Sequence, residues 1–299
     1  MYKNIMITGG LGHIGSKLIR SFPEQYKLTV VDNMWTQRYC SLFNQKRKIK
    51  FIEKDITNIN NTDLSDIDLV IHLASITNAT NSFHNKNEVE LVNYESTIKF
   101  MDVCKDVGCK FIFPSSTSVY GVASDEVCED DDSVLNPQSP YAESKIKAEN
   151  YLKTSGLEYL ILRFGTIFGN SDGMRFHTAI NKFCYQASIN EPLTIWKQNF
   201  DQYRPYLGLN DCVRSILHFI ESDNWNQTYN VLTGNYKLSD IIDMIKSRIN
   251  IEVDMVDTPL LNQYSYLVNY NKITNTGFTV SDNIDIEIEK TLTLLANLK

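Results

Sequence analysis

Near the N-terminus a short apolar run, NIMIT, passes directly into TGGLGHIG and then into an amphipathic stretch. Few folds accommodate a strand, a glycine-paved turn and a helix in such close succession. Each glycine has a physical reason in that unit. Gly9 permits the tight turn out of the strand, Gly12 lets the backbone approach a pyrophosphate, and Gly15 lets the new helix lie close on the sheet. The start of that helix, with His13 and Ile14 as its first residues, turns unpaired amides and a positive dipole end toward the anion. Glycine-rich loops are common, so position carries the inference. The next strand-like run, KLTVVD, ends in Asp32, about 20 residues beyond the glycines, where a carboxylate accepts from ribose hydroxyls. The pattern predicts a dinucleotide site, and Asp32 favours NAD over NADP because it repels a 2′-phosphate.

Apolar runs between turn signals predict strands near residues 3–7, 27–31, 49–53, 68–73, 109–114 and 157–162, with helical stretches near 13–22, 88–106 and 140–155. LVIHLA and KFIFPSS are uninterrupted in their apolar character, as parallel strands covered on both faces are. The alternation predicts an α/β fold with a doubly wound parallel sheet, a Rossmann domain over residues 1–165. Beyond it the pattern loosens, with Pro192, Pro205 and Pro259 among mixed aromatic and polar residues. Residues 166–299 are therefore expected to form mainly a smaller C-terminal α/β substrate lobe, with the chain near 205–232 returning to the Rossmann domain. Ligands of such folds bind at the carboxyl edge of the sheet, which this lobe would cover.

The net charge of -7 removes nucleic acid as a main partner, since phosphate backbones are bound through clustered Lys and Arg. No apolar run approaches the roughly 18 residues that span a bilayer, and no signal-peptide pattern opens the chain. A cytoplasmic, membrane-free protein is expected. The six cysteines form no CxxC pair and the five histidines no ligand spacing, so free thiols and no metal are predicted.

Tyr141 and Lys145 in SPYAESKIKAENYL stand four residues apart, one turn of a helix and on one face. A phenol ionises at roughly 10, and a neighbouring ammonium together with a positive nicotinamide favours the phenolate. Tyr141 is thereby a candidate general base. The spacing alone is common. Here it follows KFIFPSSTSVYG, which places Ser116 and Thr117 at the end of a central strand, where a hydroxyl can bridge a substrate alcohol and the tyrosine oxygen.

With these residues the chain resembles the extended short-chain dehydrogenase/reductase superfamily, and within it the nucleotide-sugar epimerase/dehydratase family. The resemblance runs through TGGLGHIG, VVDN, EKDI, HLAS, VNYEST, SSTSVYG and PYAESK in order and covers nearly the whole chain. It implies catalysis by Ser116, Tyr141 and Lys145, with Lys145 also holding the nicotinamide ribose. It implies that Asp55 and Ile56 lie beside the adenine and that Ala74 and Ser75 line the cofactor cleft. Asn33, Leu73 and Asn93 lie in the same motifs and join the expected NAD-binding set. In LRFGTIFG, Thr166 stands where the family usually has asparagine, and Arg204 in QYRPYLGLND matches the arginine that contacts the substrate diphosphate. Arg175 is a second such candidate. A further arginine common in the late element is replaced in the neighbourhood of Gln263 and Tyr264.

Family members that act as 4,6-dehydratases carry an Asp-Glu pair after the central hydroxyl residue, whereas this chain has Thr117 and Ser118. The resemblance therefore implies an NAD-dependent epimerase working through transient oxidation at C4 of a nucleotide-diphosphate sugar, in the manner of UDP-glucose 4-epimerase. A 4-dehydrogenase or 4-ketoreductase that releases its product, and a non-catalytic nucleotide-binding protein, stay open. A homodimer is implied too, built from helices near 88–106 and 140–155, with Leu91, Val92, Ile98 and Met101 available to it.

Overall fold

The computed structural model describes residues 2–123, 126–257 and 266–298. Gln263 and Tyr264 lie outside them. Six strands arise in chain order from the apolar runs: β1 (Asn4–Thr8), β2 (Lys27–Asp32), β3 (Lys50–Glu53), β4 (Leu69–His72), β5 (Lys110–Ser116) and β6 (Tyr159–Phe164). Next come β7 (Thr166–Phe168), β8 (Leu193–Trp196), β9 (Tyr203–Gly208), β10 (Gln227–Val231), β11 (Gly234–Lys237) and β12 (Val253–Val256). The main sheet has seven strands in the order β10-β6-β5-β4-β1-β2-β3, every pair parallel. Alternate residues feed opposite faces. Ile5, Ile7, Val30, Ile71 and Leu162 pack into one core, while Met6, Val31, Val70, Phe113 and Ile161 pack into another. A sheet covered on both sides has no polar face to show, which is why its strands read as unbroken apolar runs.

Strand order reverses between β1 and β4, and that crevice is where ligands of doubly wound sheets bind. The helix predicted over 88–106 forms with one interruption. Helices Lys86–Glu90 and Ser96–Val107 are joined by a π-helical turn, Leu91–Glu95. Ser96 Oγ and Thr97 Oγ1 donate five residues back, to the carbonyls of Leu91 and Val92, as the widened turn requires. Met101 faces inward and is fully buried among the chain's own core residues, so it is not available to an interface, whereas Leu91 is exposed.

Beyond Gly165 the chain builds a second set of elements. Strands β11-β9-β7 and β12-β8 form two small sheets. Helices Ala179–Ser188, Leu238–Lys246 and Ile284–Leu294 enclose a separate core around Phe168, Leu193 and Ile195. Between these pieces the chain goes back to the main sheet. Helix Leu209–Ile220 lies against helix His13–Ser21, and β10 pairs with β6. Among the described residues no helix is long and apolar enough to cross a membrane.

Candidate active site

Gly9 has a φ of +62°, and a Cβ there would stand 2.5 Å from the amide nitrogen of Ala74. Only glycine both adopts that backbone and lets the turn after β1 touch the end of β4. Gly15 is pressed on Gly10 in the same manner, which lets helix His13–Ser21 start hard against the sheet. At Gly12 the nearest atom to an added Cβ is the Gly9 carbonyl oxygen at 3.2 Å, followed by the Arg38 guanidinium at 4.0 Å. The loop thus keeps a bare backbone flank toward a cation, the arrangement a pyrophosphate needs.

Asp32 closes β2 and accepts from the amides of Leu11 and Met34, at 3.0 Å each. Asp55 caps the short turn Ile56–Asn58. Burial pushes its carboxyl up, but bonds from Thr57 and Asn33 outweigh this and hold it below the usual carboxylate range. His13 is buried, with its Nδ1 2.8 Å from Ser171 Oγ. That hydroxyl donates to the His13 carbonyl, so it accepts from Nδ1–H, which leaves Nε2 as an unprotonated acceptor. Burial, then Arg175, Arg38 and His177, lowers the imidazole to about 3, so it is neutral at physiological pH.

The predicted relay assembles at the carboxyl ends of β5 and β6. Helix Pro140–Ser155 begins with Ser139 capping the Ala142 amide and proline in its first turn, which fixes where Tyr141 emerges. The Tyr141 hydroxyl lies beside Ser116, which favours its ionised form. Ser116 Oγ accepts from the Ser118 amide and hydroxyl, at 3.2 and 3.0 Å. One turn on, Lys145 Nζ donates to the Pro114 carbonyl at 3.0 Å and lies 5.9 Å from the Tyr141 ring centroid. Burial lowers Lys145 to about 8, with Glu149 opposing and Arg175 assisting.

One expectation changes here. Burial raises Tyr141, and what pulls it back toward the phenolate is first the Arg175 charge and then Ser116, not Lys145. Arg175 thus acts on Tyr141 from within the same cleft. It bonds Thr77 Oγ1, and its buried Nε has no partner among the described residues. Arg204 stands on β9 with its guanidinium 5.3 Å from the Tyr266 ring centroid. Thr117 is buried and bonds the Phe164 carbonyl at 3.3 Å.

A single cleft of about 730 Å³ is lined by Gly9, Gly12, His13, Ile14, Gly15, Asp32, Asn33, Asp55, Ile56, Leu73, Ala74, Ser75, Ser116, Thr117, Tyr141, Lys145, Thr166, Arg175 and Arg204. Asn93 alone stands behind it. Its side chain bonds both backbone groups of Ile76, at 2.8 Å each, and Ser75 Oγ at 3.0 Å, so it shapes the wall from the π-helical turn. Sequence reasoning missed Arg38, Thr77, His177 and Tyr266, which also line the cleft. Arg38 left a signal, a cation six residues past Asp32; the others sit on irregular segments with none.

The fit to a dinucleotide is specific to this geometry, because a side chain at Gly9 would collide with the backbone of Leu73 and Ala74, and one at Gly15 with that of Gly10. Comparison with known proteins agrees. The trifunctional UDP-glucose 4,6-dehydratase/3,5-epimerase/reductase of Arabidopsis thaliana is 27% identical over 97% of this chain, and the chain spans about half (47%) of that relative's length. A putative UDP-glucose 4-epimerase of Methanocaldococcus jannaschii is 26% identical over 84% of each chain. The solved UDP-N-acetylglucosamine 4-epimerase of Methanobrevibacter ruminantium, in complex with UDP-N-acetylmuramic acid, superposes with a TM-score of 0.89 at 26% identity over 99% of both chains. UDP-glucuronic acid 4-epimerase of Bacillus cereus, solved with its substrate and NAD, gives 0.86 at 26% identity over 99% of this chain and 100% of that one. The family model described as NAD dependent epimerase/dehydratase matches residues 5–231, and the chain belongs to that family of NAD-dependent enzymes.

Proposed function

We propose that the protein is an NAD-dependent 4-epimerase of nucleotide-diphosphate sugars, similar to UDP-glucose 4-epimerase. The observation that carries this is that Ser116, Tyr141 and Lys145 line one cleft with the glycine loop, Tyr141 beside Ser116 and Lys145 one turn further along the same helix. NAD, held along the glycine loop and Asp32, would supply the hydride acceptor and donor for C4. Ser116 holds the C4 hydroxyl, and Tyr141 takes its proton as the C4 hydrogen leaves with its electron pair. Arg175 supplies the positive charge that lets the phenol oxygen carry a negative one, while Lys145 holds the Pro114 carbonyl one turn on. The 4-keto sugar then turns over in the cleft, and Tyr141 gives the proton back as hydride arrives on the opposite face.

Asp32 and Asp55 flank the adenosine end, and Arg204 takes the substrate diphosphate. Thr117 and Ser118 offer no carboxyl group to protonate a leaving hydroxyl, which disfavours dehydration although dehydratases are among the relatives. The 4-epimerases solved with UDP-sugars support the substrate class. Residues 1–165 form the cofactor domain in this reading and most of 166–299 the substrate lobe. Leu91, Val92 and Ile98 give two copies an apolar face for dimerisation, in a cytoplasmic setting that suits six free thiols.

The test is incubation of the NAD-loaded protein with UDP-, GDP-, CDP- and dTDP-hexoses. The C4 epimer is expected without accumulation of free NADH. Stoichiometric NADH with a released keto sugar identifies a 4-dehydrogenase instead, and a 4-keto-6-deoxy product overturns the assignment.

A further inference from the structure

Three residues of helix Pro140–Ser155, spaced four apart, take hold of three consecutive residues at the end of β5. Tyr141 lies beside Ser116, Lys145 donates to the Pro114 carbonyl, and Glu149 accepts from the Ser115 hydroxyl. The third contact is outside the relay described so far. Glu149 and its partner Arg163 are both fully buried, joined by bonds of 2.6, 3.1 and 3.2 Å. Arg163 is the cross-strand neighbour of Ser115 on β6. It continues to Tyr120 Oη at 3.0 Å, and Tyr120 donates to Asn230 on β10 at 2.7 Å.

A buried ion pair is a poor source of stability, because desolvation of both charges offsets their attraction and apolar replacement is often neutral or favourable. Its place here, one turn behind Lys145 and one residue before Ser116, gives it another use. We propose that Glu149 is a positioning residue of the catalytic centre: held by Arg163, it fixes Ser115 and so sets the Pro114 carbonyl and the Ser116 hydroxyl against Lys145 and Tyr141. The inference rests on the chemistry proposed at Tyr141.

The charge acts in the same direction. The groups that face Lys145 are Tyr141 and Glu149 on its own helix, neutral His72 on β4, and Arg175 from the segment after β7. Of these Glu149 is the one that favours the ammonium, against burial and Arg175.

Two variants separate position from stability. Ser115→Ala cuts the tie and leaves the ion pair intact; Glu149→Gln with Arg163→Met removes both charges together and strands neither. In NAD-loaded protein, kcat on UDP-glucose is expected to fall about 10-fold in the first and about 100-fold in the second, with KM within about threefold. The decline of kcat on the alkaline side moves to lower pH in the double variant. A readout free of turnover is the ultraviolet absorbance of the Tyr141 phenolate, taken as the difference from Tyr141→Phe in each background. It is expected to appear at higher pH in both variants, as Ser116 moves away from Tyr141. A Ser115→Ala protein with the parent's phenolate titration overturns the proposal, whether or not the double variant folds. Absence of turnover on UDP-glucose counts against that substrate and leaves this titration to decide the positioning role.

Discussion

The two walls of the cleft are held in different ways. On the sheet side, Asp32, His72 and Ser116 each end a strand paired on both sides, and the parallel ladder fixes where they stand. On the other side, residues 171–175 run without regular structure and take their position from the first wall. Ser171 bonds the His13 carbonyl, the Gly173 amide donates to Ser16 Oγ at 3.0 Å, and the Cys40 thiol donates to the Asp172 carbonyl. One wall carries its own geometry; the other borrows it from the glycine loop. Arg175 sits at the end of this borrowed segment, so its charge on Tyr141 reports on how the strap seats.

The largest effect lies on the self-supporting wall. Tyr141→Phe removes the proton acceptor and nothing that shapes the sheet, so turnover should drop about 10³-fold. NAD affinity, followed by calorimetry, should stay within about threefold, because the Tyr141 hydroxyl lies beside Ser116 at the end of β5 rather than in the glycine loop. Near-parental turnover would move the chemistry off this wall.

Next is Lys145, whose folded pKa of about 8 lies below the 10.5 of the free side chain. Between those values the unfolded chain binds more protons than the folded one, so stability rises with pH across that window. It is flat in this residue below it. The rise is on the order of 3 kcal/mol. Denaturant unfolding of the cofactor-free protein at both ends of the window should show it, and Lys145→Met should remove it. Equal slopes in the two proteins would mean that Lys145 is not buried in its charged form.

The same contrast explains what could be read from the sequence. Strands β1 to β6 announce themselves because burial on both faces demands apolar runs, and the glycines because a Cβ at 9 or 15 has no room. Tyr141, Lys145 and Ser116 follow from helix pitch and a strand end. The π-helical turn at Leu91–Glu95 left no periodic trace, since it adds one residue to a pattern otherwise helical. Arg175 was legible as a cation and expected at the diphosphate, but its influence on Tyr141 was not. Its neighbours Thr77 and Tyr141 come from distant parts of the chain, through a strap that obeys no period. Glu149 drew no reading from the sequence, because its partners Ser115 and Arg163 become neighbours only through the β5–β6 register.

Gly173 tests the borrowed wall directly. A Cβ there would lie 2.4 Å from the Leu11 carbonyl oxygen and 2.5 Å from that of Gly12, both backbone atoms of the glycine loop. Gly173→Ala must lift the strap or distort the loop, at about 2 kcal/mol. Calorimetric NAD affinity should weaken about tenfold, with the main-sheet core intact by near-ultraviolet circular dichroism. Unchanged affinity would show the strap to be independent of the cofactor loop.

The smallest effect belongs to the ion pair beside it. Arg20 and Asp172 meet across the same seam, but their side chains are 29% and 47% exposed. Solvent screens such a pair to a contribution below about 1 kcal/mol. Asp172→Asn keeps the backbone carbonyl that the Cys40 thiol reaches, so midpoint and slope in denaturant should barely move, and NAD affinity should hold. If this exchange instead costs more than Gly173→Ala, the strap is seated by charge rather than by close backbone contact. Added salt would then loosen Arg175 from Thr77, and the second wall would owe its shape to electrostatics.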